Sequence, residues 1–589
     1  MKKKVFALII AFSMLFAVLA GCNRSGVIGG GGGTTTESDP IKVKLITVGW
    51  SNTPIDSFEA DPYWNFLRDE YGLEVTLMNY NLNDFKNKVS TLFTNAAESP
   101  DIIAFPNYEE FVKVYEQGVL IDDWTPYLDS MPLMKNVIEL NPYDFETPNP
   151  VKNMFMEGED LTALWIVPEP VKWGLKIRQD WVVELGYPEG WYPTDVEEVL
   201  EFARKVKDNK ILAGERKGQP LCDIPNTQPY CFTSSGSKLT SGDFGALSIN
   251  MFGSHTWNVK EGKLTHPILD NTYQRAWDFM KTVVDEGLIY PAWYEQNFQD
   301  MQLSAFNDQV AIVNMTSTIV STTYNKHMAG GTQFTAEETL DWWGSMPTPK
   351  AEGTDGGLLT STGYFSKILT VSKRAAADAT KMERICKLFN DVSQNYDYNK
   401  AGTDDFFIRD ETYDMLRWGV GLENDEIKML DVEGTSYKYC NVNAPVGEDL
   451  YYRQNVPGAW DWGAWFSTTG DGVIQGKGVE EVTAVAQKEA QFLEEIQTYP
   501  VRETLYFLDV DAALNAQLTD LQKEYEVLYM TKGNISDSAI NQFYKEFVEL
   551  WWNEGGREMF YEVAQQFIDE GYEISNADAQ LSDFAYYRT

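Results

Sequence analysis

The sequence predicts an α/β protein with more than one hydrophobic core, and three observations carry that expectation. Residues 43 to 105 alternate strand and helix patterns in the order βαβαβ. The chain has 589 residues, whereas a single core stops growing at about 250 to 300. It also holds 31 Tyr, 31 Phe and 18 Trp within a composition that is 43% hydrophobic, which is ample material for burial and excludes global disorder.

In chain order, Val-Lys-Leu-Ile-Thr-Val at 43 to 48 alternates as a strand, and Pro62 to Tyr71 reads as a short helix ending at Gly72. Residues 74 to 79 form a second strand. Asn83 or Asp84 can cap a helix whose apolar positions Phe85, Val89, Leu92, Phe93 and Ala96 recur at helical spacing, before Pro100 stops it and 101 to 105 make a third strand. Such units wind right-handed into a parallel sheet whose ligands collect at the carboxyl ends of the strands. Those ends carry Trp50, Asn52, Tyr80, Pro106 and Asn107, which are polar and aromatic groups rather than a catalytic set.

A second α/β region follows. Thr194 with Glu197 reads as a capping box opening a helix through Val196, Val199, Leu200, Ala203 and Val206. Another helix places Tyr273, Ala276, Trp277, Met280 and Val283 on one core-facing stripe and ends at Gly287. Residues 310 to 313 read as a strand delivering Asn314, and 368 to 371 as another. Beyond residue 480 the pattern is largely helical, with Ile540, Phe543, Tyr544, Phe547 and Trp551 in one stripe.

The formal net charge is −40, from 48 Lys plus Arg against 88 Asp plus Glu. An anionic field of that size repels polyanions over a Debye length of about 8 Å, so no nucleic-acid partner is expected. At the amino terminus, Lys2 to Lys4 precede an apolar run from Val5 to Ala20, too short for a membrane span and of signal-peptide length. Leu19-Ala20-Gly21-Cys22 resembles the lipobox of bacterial lipoproteins, which implies a signal peptide over 1–21 and a lipid anchor on Cys22. Residues 22–40 are the acylated cysteine and a Gly/Thr-rich tether, with a reach of roughly 20 to 25 Å as a flexible coil. Loss of the leader removes three lysines and no acids, leaving −43 on a body expected outside the cell. Of the remaining cysteines, Cys222 and Cys231 are close enough to bridge a short loop, and reduced buried thiols are the equal alternative.

The order of several segments carries a family resemblance. Ser99-Pro-Asp-Ile-Ile103, Gln117 to Asp122, Lys176-Ile-Arg-Gln-Asp-Trp181 running to Gly186, His266 to Leu269, Val284 to Pro291 and Met530 to Gly533 occur in an order and spacing similar to extracellular solute-binding proteins of ABC importers. The likeness is to family 1, the maltose-binding-like type, and within it to the large oligosaccharide-binding lipoproteins of Gram-positive bacteria. It implies a two-lobed periplasmic-binding-protein-like fold of type II with a helical C-terminal extension. The lobes would be 41–168 plus 350–395 and 169–349 plus 396–589, with crossings near Trp165 to Pro170 and Trp343 to Lys350. The resemblance further implies an oligosaccharide or related sugar as ligand, ABC permease subunits as partners, a monomer, and a place on the outer face of the cytoplasmic membrane. Many relatives carry a calcium loop after the helix matching 195 to 207. Lys207 to Lys217 here lacks its alternating carboxylates, so no metal and no cofactor is expected.

A sugar presents hydroxyl groups at its rim and C–H patches on its faces, and a site for it combines flat aromatic rings with planar amides. Candidates in loop-like stretches are Trp342 and Trp343 before a proline-rich segment, Trp460 and Trp462 among glycines, Trp257, and Tyr230. Trp50, Tyr80, Asn52, Asn107 and Asn314 join them from strand ends. For each tryptophan the competing reading is a structural plug, and for each asparagine a turn former. Catalytic patterns are absent from the sequence: it holds no G-x-S-x-G, Walker loop or C-x-x-C, and His255, His266 and His327 show no metal-ligand spacing. The chain is therefore expected not to be an enzyme. The alternatives are a carbohydrate hydrolase, since two of 88 acids would suffice, and a surface lectin with a fixed site.

Overall fold

The computed structural model describes residues 39–48, 62–80, 82–95, 99–139, 151–166, 173–208, 230–234, 242–329 without 255 and 297, 336–360, 367–393, 479–502, 510–532 and 536–584, with a few short strands and single positions elsewhere. Trp50, Asn52, Trp460, Trp462, Cys222, the leader, Cys22 and the tether up to residue 38 lie outside them.

The main strands are β1 (Ile41–Val48), β2 (Leu73–Tyr80), β3 (Ile102–Phe105), β4 (Leu164–Ile166), β5 (Trp173–Arg178), β6 (Ile312–Thr316), β7 (Trp343–Met346) and β8 (Lys367–Val371). The helices needed below are α1 (Pro62–Tyr71), α2 (Leu82–Leu92), α3 (Tyr108–Tyr115), α4 (Val196–Asp208), α5 (Thr272–Asp285), α6 (Ala379–Asp391), α7 (Val479–Thr498), α8 (Ala512–Thr531), α9 (Asp537–Trp551) and α10 (Arg557–Asp569). Two sheets organise them. The first has the order β2-β1-β3-β8-β4, the second β6-β5-β7.

In the first sheet β1 lies parallel to β2 and β3, while β8 runs antiparallel to both β3 and β4. Ile-Ile-Ala-Phe of β3 is fully buried, the continuous apolar run expected of a central strand covered on both faces. Helix α1 buries Trp64, Leu67 and Tyr71 at helical spacing, and α2 buries Phe85, Val89 and Leu92. Gly72 ends α1 with φ of 62°, a left-handed turn that favours glycine, and its carbonyl accepts from Arg384 of α6 at 2.6 Å. Helix α2 starts at Leu82, so Asp84 lies in its first turn rather than at the cap.

Asp101 explains why a segment some 270 residues downstream docks on this sheet. Its carboxylate, 3% exposed, accepts from the Lys44 backbone N–H at 2.8 Å, from Arg374 at 3.2 Å and from Lys381 at 3.0 Å. One buried acid thus ties β1 to the returning β8 and α6 through charge-assisted bonds.

The side chains divide between separate cores. One takes residues from Val43 to Trp165 together with Ile368 to Val392 and Leu416. A second gathers Leu175 to Ile312, Met346 and the C-terminal helices from Leu518 to Ala579. A third, smaller core joins β6, β7 and α7 through Met315, Trp343 and Phe492. The stripe Tyr544, Phe547 and Trp551 of α9 is buried against Trp277 of α5, with Trp277 and Phe547 ring centroids 5.0 Å apart. Helix α8 also touches α3 of the first lobe.

Three sequence expectations shift. Helix α4 is capped by Asp195, whose carboxylate accepts from the Glu198 N–H at 2.9 Å, while Glu198 takes the Thr194 N–H and hydroxyl at 2.8 Å. The capping pair is therefore Thr194 with Glu198, because Asp195 is the better cap. Residues 350 to 360 stay on the second lobe: Lys350, Ala351 and Gly357 donate their N–H groups to carbonyls of Thr194, Met251 and Asn250, and Leu359 to that of Pro500. The return to the first sheet thus falls between Thr360 and Lys367, later than 343 to 350. Cys231 is a free thiol, buried at 1% exposure, so it makes no bridge to Cys222.

Candidate binding cleft

The chain leaves the first sheet at the carboxyl end of β4 and enters the second at Trp173, then returns to the first sheet at Lys367. These passages mark the edge of each sheet at which the chain crosses. On the first sheet, β1 and β2 run level, pairing Val48 with Tyr80, and β3 ends beside them at Phe105. Lys367 opens β8 opposite Ile166, at the same edge. On the second sheet, Thr316 at the end of β6 pairs with Trp173 at the start of β5. The crossing-side edges therefore present Tyr80, Pro106, Asn107 and Lys367 from one lobe and Trp173, Asn314, Thr316 and Thr318 from the other.

Of the residues singled out from sequence, Tyr80 ends β2 and Asn107 follows β3, while Asn314 lies two residues short of the end of β6. Tyr80 is half-buried, with the Lys88 ammonium 4.9 Å from its ring centroid. Asn107 follows β3 in extended backbone and caps α3, its Oδ1 accepting from the Glu110 N–H at 3.0 Å. β1 lies between the strands that carry them, so the two are separated by about 10 Å across the sheet. Asn314 lies inside β6, paired with Leu175, because the strand runs on to Thr316 rather than stopping at 313. Trp173, Thr316 and Thr318 were not singled out from sequence. The signal for two of them was present in the run Thr316-Ser317-Thr318 directly after an apolar strand, where the Thr316 and Thr318 hydroxyls hydrogen-bond each other.

Tyr230, Trp257, Trp342 and Trp343 lie elsewhere. Tyr230 bridges to Val310, six residues before Thr316, which at about 3.3 Å per residue is some 20 Å from the crossing edge. Its ring packs edge-on to Tyr290 at 5.7 Å, and burial raises its phenol above the ordinary range. Trp343 pairs with Arg178 at the far end of β5 and is 1% exposed, with Nε1 donating to Thr323 Oγ1 at 3.1 Å. Trp342 is 3% exposed. These two rings are core because they cover a buried cation. The Arg178 guanidinium lies 5.0, 5.1 and 5.4 Å from the rings of Trp181, Trp342 and Trp343, and pairs bidentately with Asp180 at 2.8 and 2.6 Å and with Asp308 at 2.6 Å. Trp257 is also a core residue, its ring tilted against His266 with centroids 4.6 Å apart.

Two buried lysines underlie the edges. Lys367, 6% exposed, is held well below the ordinary lysine range by burial. Lys176, three residues into β5 and fully covered, is pulled down to about 7 by burial, only partly offset by Glu495. Its ammonium contacts the Gly174 carbonyl at 3.4 Å and sits 5.5 Å from the Phe492 ring centroid. No cluster of three or more His, Cys, Asp or Glu that could hold a metal occurs among the described residues. The calcium loop of relatives is not matched by the donors here, since Lys207 to Lys217 offers only Asp208 and Glu215 as carboxylates. No described helix is long and apolar enough to cross a membrane.

No protein-family model and no curated protein sequence matches this chain. Solved structures do. An alginate-binding protein, AlgQ2 without calcium ion, superposes with TM-score 0.57 at 12% identity, covering 90% of this chain and 98% of that one. The S. pneumoniae ABC-transporter substrate-binding protein FusA in complex with kestose gives 0.56 at 12%, covering 90% and 99%. A human-milk-oligosaccharide (HMO)-binding solute-binding protein associated with an ABC transporter of Bifidobacterium longum infantis gives 0.51 at 14%, covering 88% and 99%. The chain therefore has the two-lobed periplasmic-binding-protein-like α/β fold of the extracellular solute-binding proteins.

Proposed function

We propose that this chain is the substrate-binding subunit of an ABC importer, which takes an oligosaccharide between its lobes and hands it to a membrane permease without chemistry of its own. The observation that supports the reading is the division of the chain into two sheets on separate cores, with the main strands passing from one to the other at edges that carry hydroxyl, amide and aromatic groups. A site made this way suits a neutral, hydroxyl-rich ligand and can close by rotation of one lobe on the other. The similar structures whose names mention kestose, alginate and milk oligosaccharides support the same ligand class.

A thermal-shift screen against a panel of neutral and acidic oligosaccharides tests it. A cognate sugar at 100 times its Kd should stabilise the protein by about 2.7 kcal/mol, and Tyr80→Ala should weaken that sugar roughly tenfold or more, the loss of one stacking surface. Stabilisation by no sugar on a broad panel, or release of new reducing ends from one of them, overturns the reading.

We also place the protein on the outer face of the cytoplasmic membrane through a lipid on Cys22. Acyl chains hold a body to a bilayer because each buried methylene contributes about 0.8 kcal/mol and several act together. Cys22→Ser should move the protein from the membrane fraction to the medium, and retention in the membrane refutes the anchor.

A further inference from the structure

We propose that the C-terminal body holds a second site, separate from the cleft, for a single neutral sugar ring. Between α5, α8, α9 and α10 and the segment 256 to 268 lies a cavity of about 340 Å³, within the range that small-molecule sites occupy. None of its lining residues comes from the first lobe or from the crossing-side edges. Its occupation is therefore independent of the importer reading.

The lining specifies the ligand's chemistry. In a chain with 88 acids and 48 Lys plus Arg, the described residues that line this cavity include no Asp, Glu, Lys or Arg. With amide, hydroxyl and imidazole groups as the polar lining, and the Glu526 carboxylate acting on Tyr273 from behind the wall, the site favours a neutral ligand over an anion. The inner wall is aromatic, with Trp257 6%, Tyr273 5% and Trp551 3% exposed. Among these rings stand groups that pair with hydroxyls: the amides of Asn515 and Gln522, the Thr519 hydroxyl and the imidazole of His266. His266 stacks on Trp551 at 5.1 Å and 16°, and its Nδ1 accepts from the Ile268 N–H at 3.3 Å, which makes Nε2 the protonated nitrogen of the neutral ring. Flat rings interleaved with amides and hydroxyls are what the C–H faces and O–H rim of a pyranose require.

Access and closure follow from burial. Asn515 is exposed and Thr519 half-buried, so the mouth opens beside α8. Gln522 is 6% and Leu518 3% exposed, so the bottom is closed. Close-packed interiors do not keep empty space of this size, and a polar hole is filled by water or by a ligand.

The experiment uses the mature full chain with glucose, galactose and mannose as probes, followed by saturation-transfer NMR up to about 10 mM, the range of a weak single-ring site. The parent should bind at least one of them. Asn515→Trp, which fills the mouth from an exposed position, and Gln522→Leu at the bottom should each weaken it roughly tenfold, with circular dichroism and the oligosaccharide thermal shift unchanged. Binding that survives both variants, binding abolished instead by Tyr80→Ala, or hexose-soaked crystals with water alone in the cavity overturns the proposal.

Discussion

Arg178→Met is expected to destabilise the protein by about 3 to 5 kcal/mol, read as a lower urea midpoint at unchanged slope. The side chain is 1% exposed, and its partners Asp180 and Asp308 are 8% and 3% exposed as residues. Although burial pulls against it, Asp180 and Asp308 hold the guanidinium above its ordinary range. Removing the cation strands two carboxylates among three tryptophans, and the penalty is that of uncompensated buried charge rather than of lost attraction. Arg178→Lys should not rescue, because a point-like ammonium cannot make the bidentate bond to Asp180 and the bond to Asp308 together. The triple change Arg178→Met, Asp180→Asn, Asp308→Asn should recover more than half of the loss, since no charge is then left buried. A single variant as stable as the parent would contradict the assignment of this cluster as the anchor of the second lobe.

Lys176→Met is expected to act in the opposite direction, stabilising the protein by about 4 kcal/mol near neutral pH. Burial lowers the folded-state value to about 7, with Glu495 opposing, from an ordinary value of 10.5. Between these two values the unfolded chain binds a proton that the folded chain does not. Stability therefore rises with pH across that window, and the penalty is fully present below about 7. Methionine fills similar space without the charge, so the variant should gain most below pH 7 and should lack this rise. Lys367, shifted the same way, leaves a residual slope in both proteins. Denaturation midpoints of parent and variant from pH 6 to 10 measure the difference directly, and parallel curves would contradict the burial of an ionisable lysine at this place.

What the sequence disclosed was local periodicity and punctuation. The βαβαβ unit was legible because β1, α1, β2, α2 and β3 each announce their own period and Gly72 ends α1, although α2 stops at Leu92, well before Pro100. Trp277 was legible as core because four apolar partners share its stripe in α5. Pairings over long separations left no such mark. Asp101 looks like any acid before a strand, and nothing nearby shows that Arg374 and Lys381 will meet it. Trp342 and Trp343 looked like loop aromatics because a proline-rich stretch follows them, yet Arg178 on another strand draws both rings inward. Asn314 and the capping of α4 shifted by one or two residues, the usual uncertainty when a boundary is set by competing caps or by a strand's partner. The cleft edges were legible as strand ends on the first sheet, where the strands are parallel and finish together. They were not legible on the second, where Trp173 and Thr316 meet through antiparallel register.

Small-angle X-ray scattering of the mature chain, with and without the oligosaccharide selected by the thermal screen, is the most direct measurement of the central claim. The account predicts that the radius of gyration falls when that sugar is bound and that Tyr80→Ala shifts the fall to higher sugar concentration. An unchanged radius at a concentration where calorimetry shows the sugar bound would mean a rigid, open site, and would contradict capture by lobe closure.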